Sequence, residues 1–191
     1  MRFVSRKAAA GAATAVLSLA LAAGAGANVV EGGKTTLVPD PDTFEALADM
    51  SIAVETTGKA EWTDIGAKFP VRGGDIDPQN GFQGIIGHGG GLLFSRSTDG
   101  ASVKFKNFTI EVEEKKMKLF AFADHEPIKL AKLAGPVAGT DTSVLLKNAE
   151  ASLAKQGAEV LSETFDFPYR KGIPLGTTTT KATITEEQVE E

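Results

Sequence analysis

The stretch "GLLFSRSTDGASVKFKNFTIEVEE", residues Gly91 to Glu114, decides the fold class. Apolar and polar residues alternate on both sides of Asp99-Gly100, a dipeptide typical of the turn in a β-hairpin. Further apolar runs flank it, "GFQGIIGH" before and "KMKLFAFADH" after, separated by glycine-rich or charged turns. Closely spaced strands with such turns favour an all-β fold over an α/β sheet.

The second half of this hairpin changes its apolar phase. Val103 and Phe105 occupy odd positions, whereas Phe108, Ile110 and Val112 occupy even ones. A one-residue slip would turn one of the two groups to the opposite face of the sheet. We therefore predict a β-bulge near residue 107, which keeps all five side chains in the core.

Two short helices are predicted outside the β-rich middle of the chain. In "PDPDTFEALADM", Asp42 is the expected N-cap and Glu45 completes a capping box. In "TSVLLKNAEASLAKQGAEVLSE", Asn148 is the expected N-cap and Gly157 the expected end of the helix. The predicted fold is thus all-β, a sandwich or flattened barrel with two short helices.

A short motif occurs twice, as "FPVRGG" at residues 69–74 and "FPYRKG" at residues 167–172. A shift of about one hundred residues also aligns the strand–helix–strand patterns that precede the two copies. This indicates an internal duplication with a pseudo-two-fold arrangement; a chance recurrence of Phe-Pro before a turn is the alternative. Proline fixes φ and removes a ladder donor, so each copy suits a strand start or an edge strand.

Residues 1–27 have the pattern of a signal peptide: an early basic cluster, an apolar stretch, and Ala25-Gly26-Ala27 as the cleavage site. We predict a single β-rich domain over 28–184 and an acidic flexible tail over 185–191, with no membrane span after cleavage. The expected location is secreted or in a bacterial cell envelope. The chain contains no cysteine, which excludes disulfides and thiol chemistry.

The formal net charge of the chain is −5, and the first 27 residues contain basic groups but no acidic ones. Their removal leaves a more acidic protein, which disfavours nucleic acid as a partner because phosphate binding depends on Lys and Arg. We expect instead an unidentified protein or a small apolar ligand as the partner, and we keep a homo-oligomer as a further expectation.

The candidate binding residues lie in the glycine-rich loop and in the repeated motif. His88 in "GHGGG" is a candidate ligand-binding residue, with a hydrogen-bonded histidine on a kinked strand as the alternative. Arg72 and Arg170 could reach an acidic ligand, or be solvated charges at a strand edge. Tyr169 is a candidate haem ligand through its phenolate, or an edge tyrosine. We identify no catalytic residues and no metal site, and "DIDPQNG" favours an Asx-rich turn over a calcium site.

The segment Phe69 to Ala123 resembles two groups of proteins through its Phe-Pro-x-x-Gly-Gly, His-x-Gly-Gly-Leu and Asn-Phe-x-Ile motifs. One is a group of uncharacterised secreted actinobacterial proteins, and the other, more distant, is the haem-transport-associated (HtaA-like) domain. The latter resemblance implies a β-rich, exported domain that binds haem through a tyrosine near its start, supported by the histidine of a Gly-His motif. His88 matches that histidine, whereas the first 168 residues contain no tyrosine.

Three functions follow from these observations. The first expectation is an exported structural or interaction protein without catalysis. The alternative is a secreted binding module for haem or another apolar ligand, with haem as the candidate cofactor. The third is a hydrolytic enzyme, for which the sequence offers neither a nucleophile motif nor a distinctive carboxylate pair.

Overall fold

The computed structural model describes residues 28–114 and 116–185. The predicted signal peptide and nearly all of the predicted tail lie outside these residues. The proposed division into 1–27, 28–184 and 185–191 therefore stays a prediction. None of the helices in the described part of the chain is long and apolar enough to span a bilayer.

The described chain is mostly β-strand, with two α-helices, and this confirms the predicted fold class. The helices are α1 (Pro41–Asp49) and α2 (Lys155–Phe165). The strands in chain order are β1 (Asn28–Pro39), β2 (Ile52–Thr57), β3 (Glu61–Trp62), β4 (Ala67–Asp77), β5 (Gln83–His88), β6 (Gly91–Arg96), β7 (Ser102–Glu113), β8 (Lys116–Ala123), β9 (Glu126–Ala134), β10 (Val137–Thr140), β11 (Ser143–Leu153) and β12 (Pro174–Thr185).

Eight of the strands close into an antiparallel barrel in the order β7-β5-β4-β1-β12-β11-β9-β8, with β8 pairing back to β7. Closure satisfies the backbone groups that an open sheet would leave unpaired at its edges. Outside the barrel, β6 and β2 extend from the first half of β7, β3 pairs with β4, and β10 pairs with β11. Of the two predicted alternatives, the barrel is therefore the observed one.

The predicted bulge lies in β7 and is confirmed. The pairing of β7 with β8 shifts between Lys106 and Thr109, and Asn107 has φ +53°. All five apolar side chains of the strand are buried as a result, which is the reason the sequence changes phase there. The bulge also divides β7, whose first half pairs with β6 and second half with β5.

Both predicted helix caps are wrong. The N-cap of α1 is Asp40, whose Oδ1 accepts from the Thr43 N–H at 2.9 Å, and Asp42 lies in the first turn. Asn148 lies inside β11, at an irregularity where it has φ +48°. The helix α2 begins only at Lys155, and Gly157 lies in its first turn rather than at its end. A Cβ on Gly157 would come 2.6 Å from the Leu130 oxygen, so glycine allows α2 to lie close against β9.

The structure does not support the predicted duplication. Pro70 lies within β4 and follows Phe69, which is 4% exposed. Pro168 lies in the loop after α2 and follows Phe167, which is 45% exposed. The patterns that precede the two copies also differ: Leu47 lies in α1, whereas Leu153, which the shift aligns with it, ends β11. The two motifs share residues but not surroundings.

The barrel interior divides into two groups of buried side chains. The first, here called the helical core, lies at the end covered by α1 and α2 and contains five buried phenylalanines: Phe69, Phe94, Phe105, Phe108 and Phe165. The second, here called the aliphatic core, has only aliphatic side chains and one methionine among its buried members, including Ile76, Ile86, Leu146 and Ile184. The candidate site lies mainly in the helical core, and Ile110, Leu133 and Ala151 of the aliphatic core complete its wall.

Candidate functional site

An apolar cavity of about 70 Å³ lies inside the barrel at the helical core. All eight barrel strands and β6 contribute to its wall, and α1 and α2 each add one side chain, Phe44 and Leu161. The polar members of the wall are Thr35, His88 and Thr178. The apolar members from the strands are Leu37, Phe69, Leu92, Phe94, Phe105, Phe108, Ile110, Leu119, Leu130, Leu133, Ala151, Leu153 and Leu175.

His88 is held on this wall by a buried hydrogen-bond chain. Its Nδ1 lies 3.2 Å from the Phe108 carbonyl oxygen, to which it donates. The Nε2 atom is therefore an acceptor, and it lies 2.7 Å from the Thr35 Oγ1. Thr35 Oγ1 in turn lies 2.7 Å from Thr180 Oγ1 and accepts from it. All three side chains are at most 5% exposed, so these hydrogen bonds are shielded from bulk solvent.

Burial also sets the protonation state of His88. Loss of hydration lowers the pKa of the imidazole to about 4, and the nearby backbone at Phe108 and Ile86 offsets this only in part. The histidine is therefore neutral at physiological pH, in the tautomer that the Phe108 carbonyl selects. Both ring nitrogens are occupied, and neither points at the cavity as a free lone pair.

The glycine-rich loop explains how His88 reaches this position. His88 ends β5 and Gly91 begins β6, so the chain crosses between the two strands over Gly89 and Gly90. Gly90 has φ +85°, and a Cβ there would lie 2.4 Å from the Ala60 nitrogen. Glycine is thus required for the kink, and the hydrogen-bonded histidine on a kinked strand, given above as the alternative, is the arrangement observed.

The two candidate arginines do not line the cavity. Arg72 lies on β4, is exposed, and its side-chain methylenes cover Gly89 on the outside of the barrel. Arg170 is exposed in the loop after α2. Both fit the alternative of solvated charges at a strand edge or loop.

Tyr169 lies at a different place from His88. It borders a surface depression along α2 of about 590 Å³, together with Arg170 and Lys171. Its hydroxyl is buried without a hydrogen-bond partner among the described residues, and burial raises the pKa of the phenol. The structure therefore does not bring His88 and Tyr169 into one site.

The remaining polar motifs have structural roles. Asp77 Oδ1 accepts from the Gln79 and Asn80 N–H groups, which confirms the Asx turn in "DIDPQNG". Across 28–114 and 116–185, no three His, Cys, Asp or Glu side chains come together as a metal site.

Sequence reasoning missed Thr35, Thr180 and Phe44. The alternation in "TTTT" predicts that two of its four threonines face inward, so Thr180 could have been found. Thr35 carries no comparable signal, because its partners are distant in sequence. Phe44 falls on the apolar face of α1 at helical spacing, which predicts burial but not a place in a cavity wall. Thr35 and Thr180 are separated by 145 residues.

Comparison with known proteins identifies the family. The model of the HtaA family, described as Htaa, matches residues 45–181 of this chain. None of the curated proteins matches it.

Solved structures share the fold. The C-terminal domain of HtaA from Corynebacterium glutamicum has a TM-score of 0.66 and 17% identity, covering 83% of this chain and 99% of that one. The N-terminal domain of the same protein has a TM-score of 0.63 and 15% identity, covering 82% and 99%. HtaB of the same organism, described as a haem-binding protein, has a TM-score of 0.53 and 13% identity, covering 83% and 95%. Since the family model spans well over half of the sequence, and the predicted resemblance is thereby confirmed, this chain belongs to the HtaA family.

Proposed function

We propose that this chain is a non-catalytic, cell-surface binding module for an apolar ligand, rather than the structural protein expected first. The observation that carries the proposal is the apolar cavity at the helical core. Protein interiors are normally packed to crystal-like density, with few voids larger than a water molecule. A cavity with an almost wholly apolar wall stays dry and takes apolar guests.

Haem is the first ligand to test, because HtaB is described as a haem-binding protein. The residues present do not fit haem iron at this cavity. Both nitrogens of His88 are occupied, and the hydroxyl that meets it belongs to Thr35, not to a tyrosine. The cavity of about 70 Å³ is also small beside the roughly 300–1,000 Å³ of typical ligand pockets. A ligand larger than a few heavy atoms requires the wall to move.

The same geometry argues against catalysis. Thr35 and His88 resemble a nucleophile with its base, but the third partner is the Phe108 carbonyl, not a carboxylate. The hydroxyl of Thr35 is also shared with Thr180, and all three side chains are buried. Burial also keeps a polar substrate from reaching the Thr35 hydroxyl, which acyl transfer would require.

The test is binding of a neutral fluorescent probe, N-phenylnaphthylamine, to the purified protein. We expect enhanced probe fluorescence that Ala151→Leu weakens, because the larger side chain fills the cavity. Ala138→Leu is the matched control, since Ala138 is exposed on β10 and should leave binding unchanged. Absence of binding to the wild type, or equal binding by both variants, would contradict the proposal.

Haem needs a separate arm of the experiment. We expect titration of haem into the wild type to give no Soret band of a tyrosine-ligated iron. The variant Thr35→Tyr adds a phenol beside His88 but takes up cavity volume, so it should also give no such band. A tyrosinate-type spectrum from the wild type that Tyr169→Phe removes would move the haem site to the depression along α2.

A further inference from the structure

The partly exposed side chains of the cavity wall are concentrated at one corner. Four side chains of the wall are only partly buried, Leu37, Phe44, Leu119 and Leu175. All except Leu119 meet where β1 ends, α1 begins and β12 starts. There the Asp40 N–H donates to the Leu175 oxygen at 3.2 Å, and the Thr43 hydroxyl to the Pro174 oxygen at 2.7 Å.

Phe44 is the side chain that connects this corner to solvent. It lines the cavity on one side, and on the other its ring meets that of Trp62 edge-on, with centroids 6.3 Å apart. It belongs to a helix in which only Leu47 is fully buried. A helix held by so little apolar contact moves at lower free-energy cost than the strands of the barrel.

An exposed apolar surface surrounds the same corner. Val38, Trp62 and Ile65 are 42%, 38% and 59% exposed, and they are three of the five exposed large hydrophobic residues in the described chain. Trp62 pairs with Ala67, which pairs with Leu37 of the cavity wall. The turn after Ile65 lies against Val38, since a Cβ on Gly66 would be 3.2 Å from its Cα. We call Val38, Trp62 and Ile65 the apolar rim.

Charged side chains beside the rim are mainly acidic. Asp42 and Glu45 are exposed on α1, and Glu61 and Asp64 are exposed next to Trp62 and Ile65. The segments 38–49 and 58–68 contain only two cations, Lys59 and Lys68, and Lys68 faces Glu61 across the β3–β4 pair. Carboxylates around an opening repel anionic ligands and attract cationic ones.

We propose that Phe44 and Trp62 form the opening of the cavity, and that it admits apolar ligands that carry no negative charge. This inference rests on the proposed function of the cavity. An anionic ligand would meet the carboxylates at the rim. Inside, it would find only hydroxyls and the neutral His88, so its charge would be buried without a partner.

Two probes of matched shape test the charge selectivity. N-phenylnaphthylamine is neutral, and anilinonaphthalenesulfonate has the same rings with one sulfonate. We expect the neutral probe to bind at least about tenfold more tightly, because an unpaired buried charge is strongly disfavoured. Binding should also quench the fluorescence of Trp62, the single tryptophan of the chain, which gives a second readout of affinity. Equal affinities, or tighter binding of the sulfonate, would overturn the selectivity.

The position of the opening is tested by association kinetics in stopped flow. Phe44→Ala removes the ring between cavity and solvent, so association of the neutral probe should accelerate about tenfold if ring displacement limits binding. Phe122→Ala is the control, because Phe122 is 37% exposed on β8 and does not line the cavity. An unchanged rate in Phe44→Ala would overturn the opening while leaving the cavity as the site. Failure of the neutral probe to bind either protein would overturn the proposed function as well.

Discussion

The two ends of the barrel interior are packed with different kinds of side chain. The aliphatic core fills its space with branched side chains of Val, Ile and Leu, whereas the helical core is built around phenylalanine rings. Two ring pairs there meet edge-on, Phe69 with Phe108 at 5.1 Å and Phe94 with Phe105 at 5.6 Å. Rigid rings in this geometry cannot adjust to close the remaining space, and the cavity lies among them. The difference separates the part that supports the fold from the part that can hold a ligand.

A leucine pair gives the largest expected contrast between the two cores. Leu146 is fully buried in the aliphatic core, and Leu92 lines the cavity. We expect Leu146→Ala to lower the free energy of unfolding by about 4 kcal/mol and Leu92→Ala by about 2 kcal/mol, since a side chain beside a void has fewer contacts to lose. Urea unfolding measures both. Equal costs would show that the helical core is as tightly packed as the aliphatic core.

The buried histidine gives the helical core a pH dependence of its own. The pKa of His88 is about 4 in the folded protein and 6.5 as its unperturbed value. Between these two pH values the unfolded chain binds a proton that the folded chain does not. The contribution of His88 to the free energy of unfolding should therefore rise by about 3 kcal/mol from pH 4 to pH 6.5 and stay level above pH 6.5.

The control for that measurement is the second histidine of the chain. His88→Gln should remove this part of the pH profile, whereas His125→Gln, in an exposed turn, should leave it unchanged. Identical profiles for the wild type and His88→Gln would show that the imidazole is not held neutral by burial.

The smallest expected effect concerns the helix that covers the cavity. Asp40→Ala removes the side-chain cap of α1 and should cost about 1 kcal/mol of stability. Asp42→Ala changes an exposed residue of the first turn and should cost no more than about 0.5 kcal/mol. Thermal melts of the two variants compare the costs directly. A larger cost at Asp42 would restore the cap predicted from the sequence.

The sequence predicts the β-architecture because apolar and polar residues alternate locally along each strand. The phase change around Asn107 required a bulge, and the hairpin at Asp99-Gly100 followed from its turn residues. Local patterns gave a wrong helix boundary where one segment fits both the strand period and the helix period. Ala149, Ala151 and Leu153 alternate as a strand, yet the segment also fits a helical spacing, so the helix was placed too early.

The candidate site was predictable only in part. His88 was singled out because glycines surround it, but its partners Thr35 and Thr180 come from strands that only the closed barrel brings together. The two Phe-Pro motifs have nearly the same letters and different environments, since tertiary packing and not the hexapeptide decides where each one lies. A cavity has no sequence signal at all, because it is the volume that neighbouring side chains fail to fill. The homo-oligomer and the exported location remain predictions.

The most direct test of a dry apolar cavity in this protein is a crystal structure under xenon pressure. A dry apolar cavity takes up xenon, which is neutral and needs no hydrogen bond. We expect a xenon peak among Phe44, Phe105 and Leu153 and none among Ile76, Ile86 and Ile184 of the aliphatic core. Ordered water in that cavity, or xenon bound only elsewhere, would contradict it.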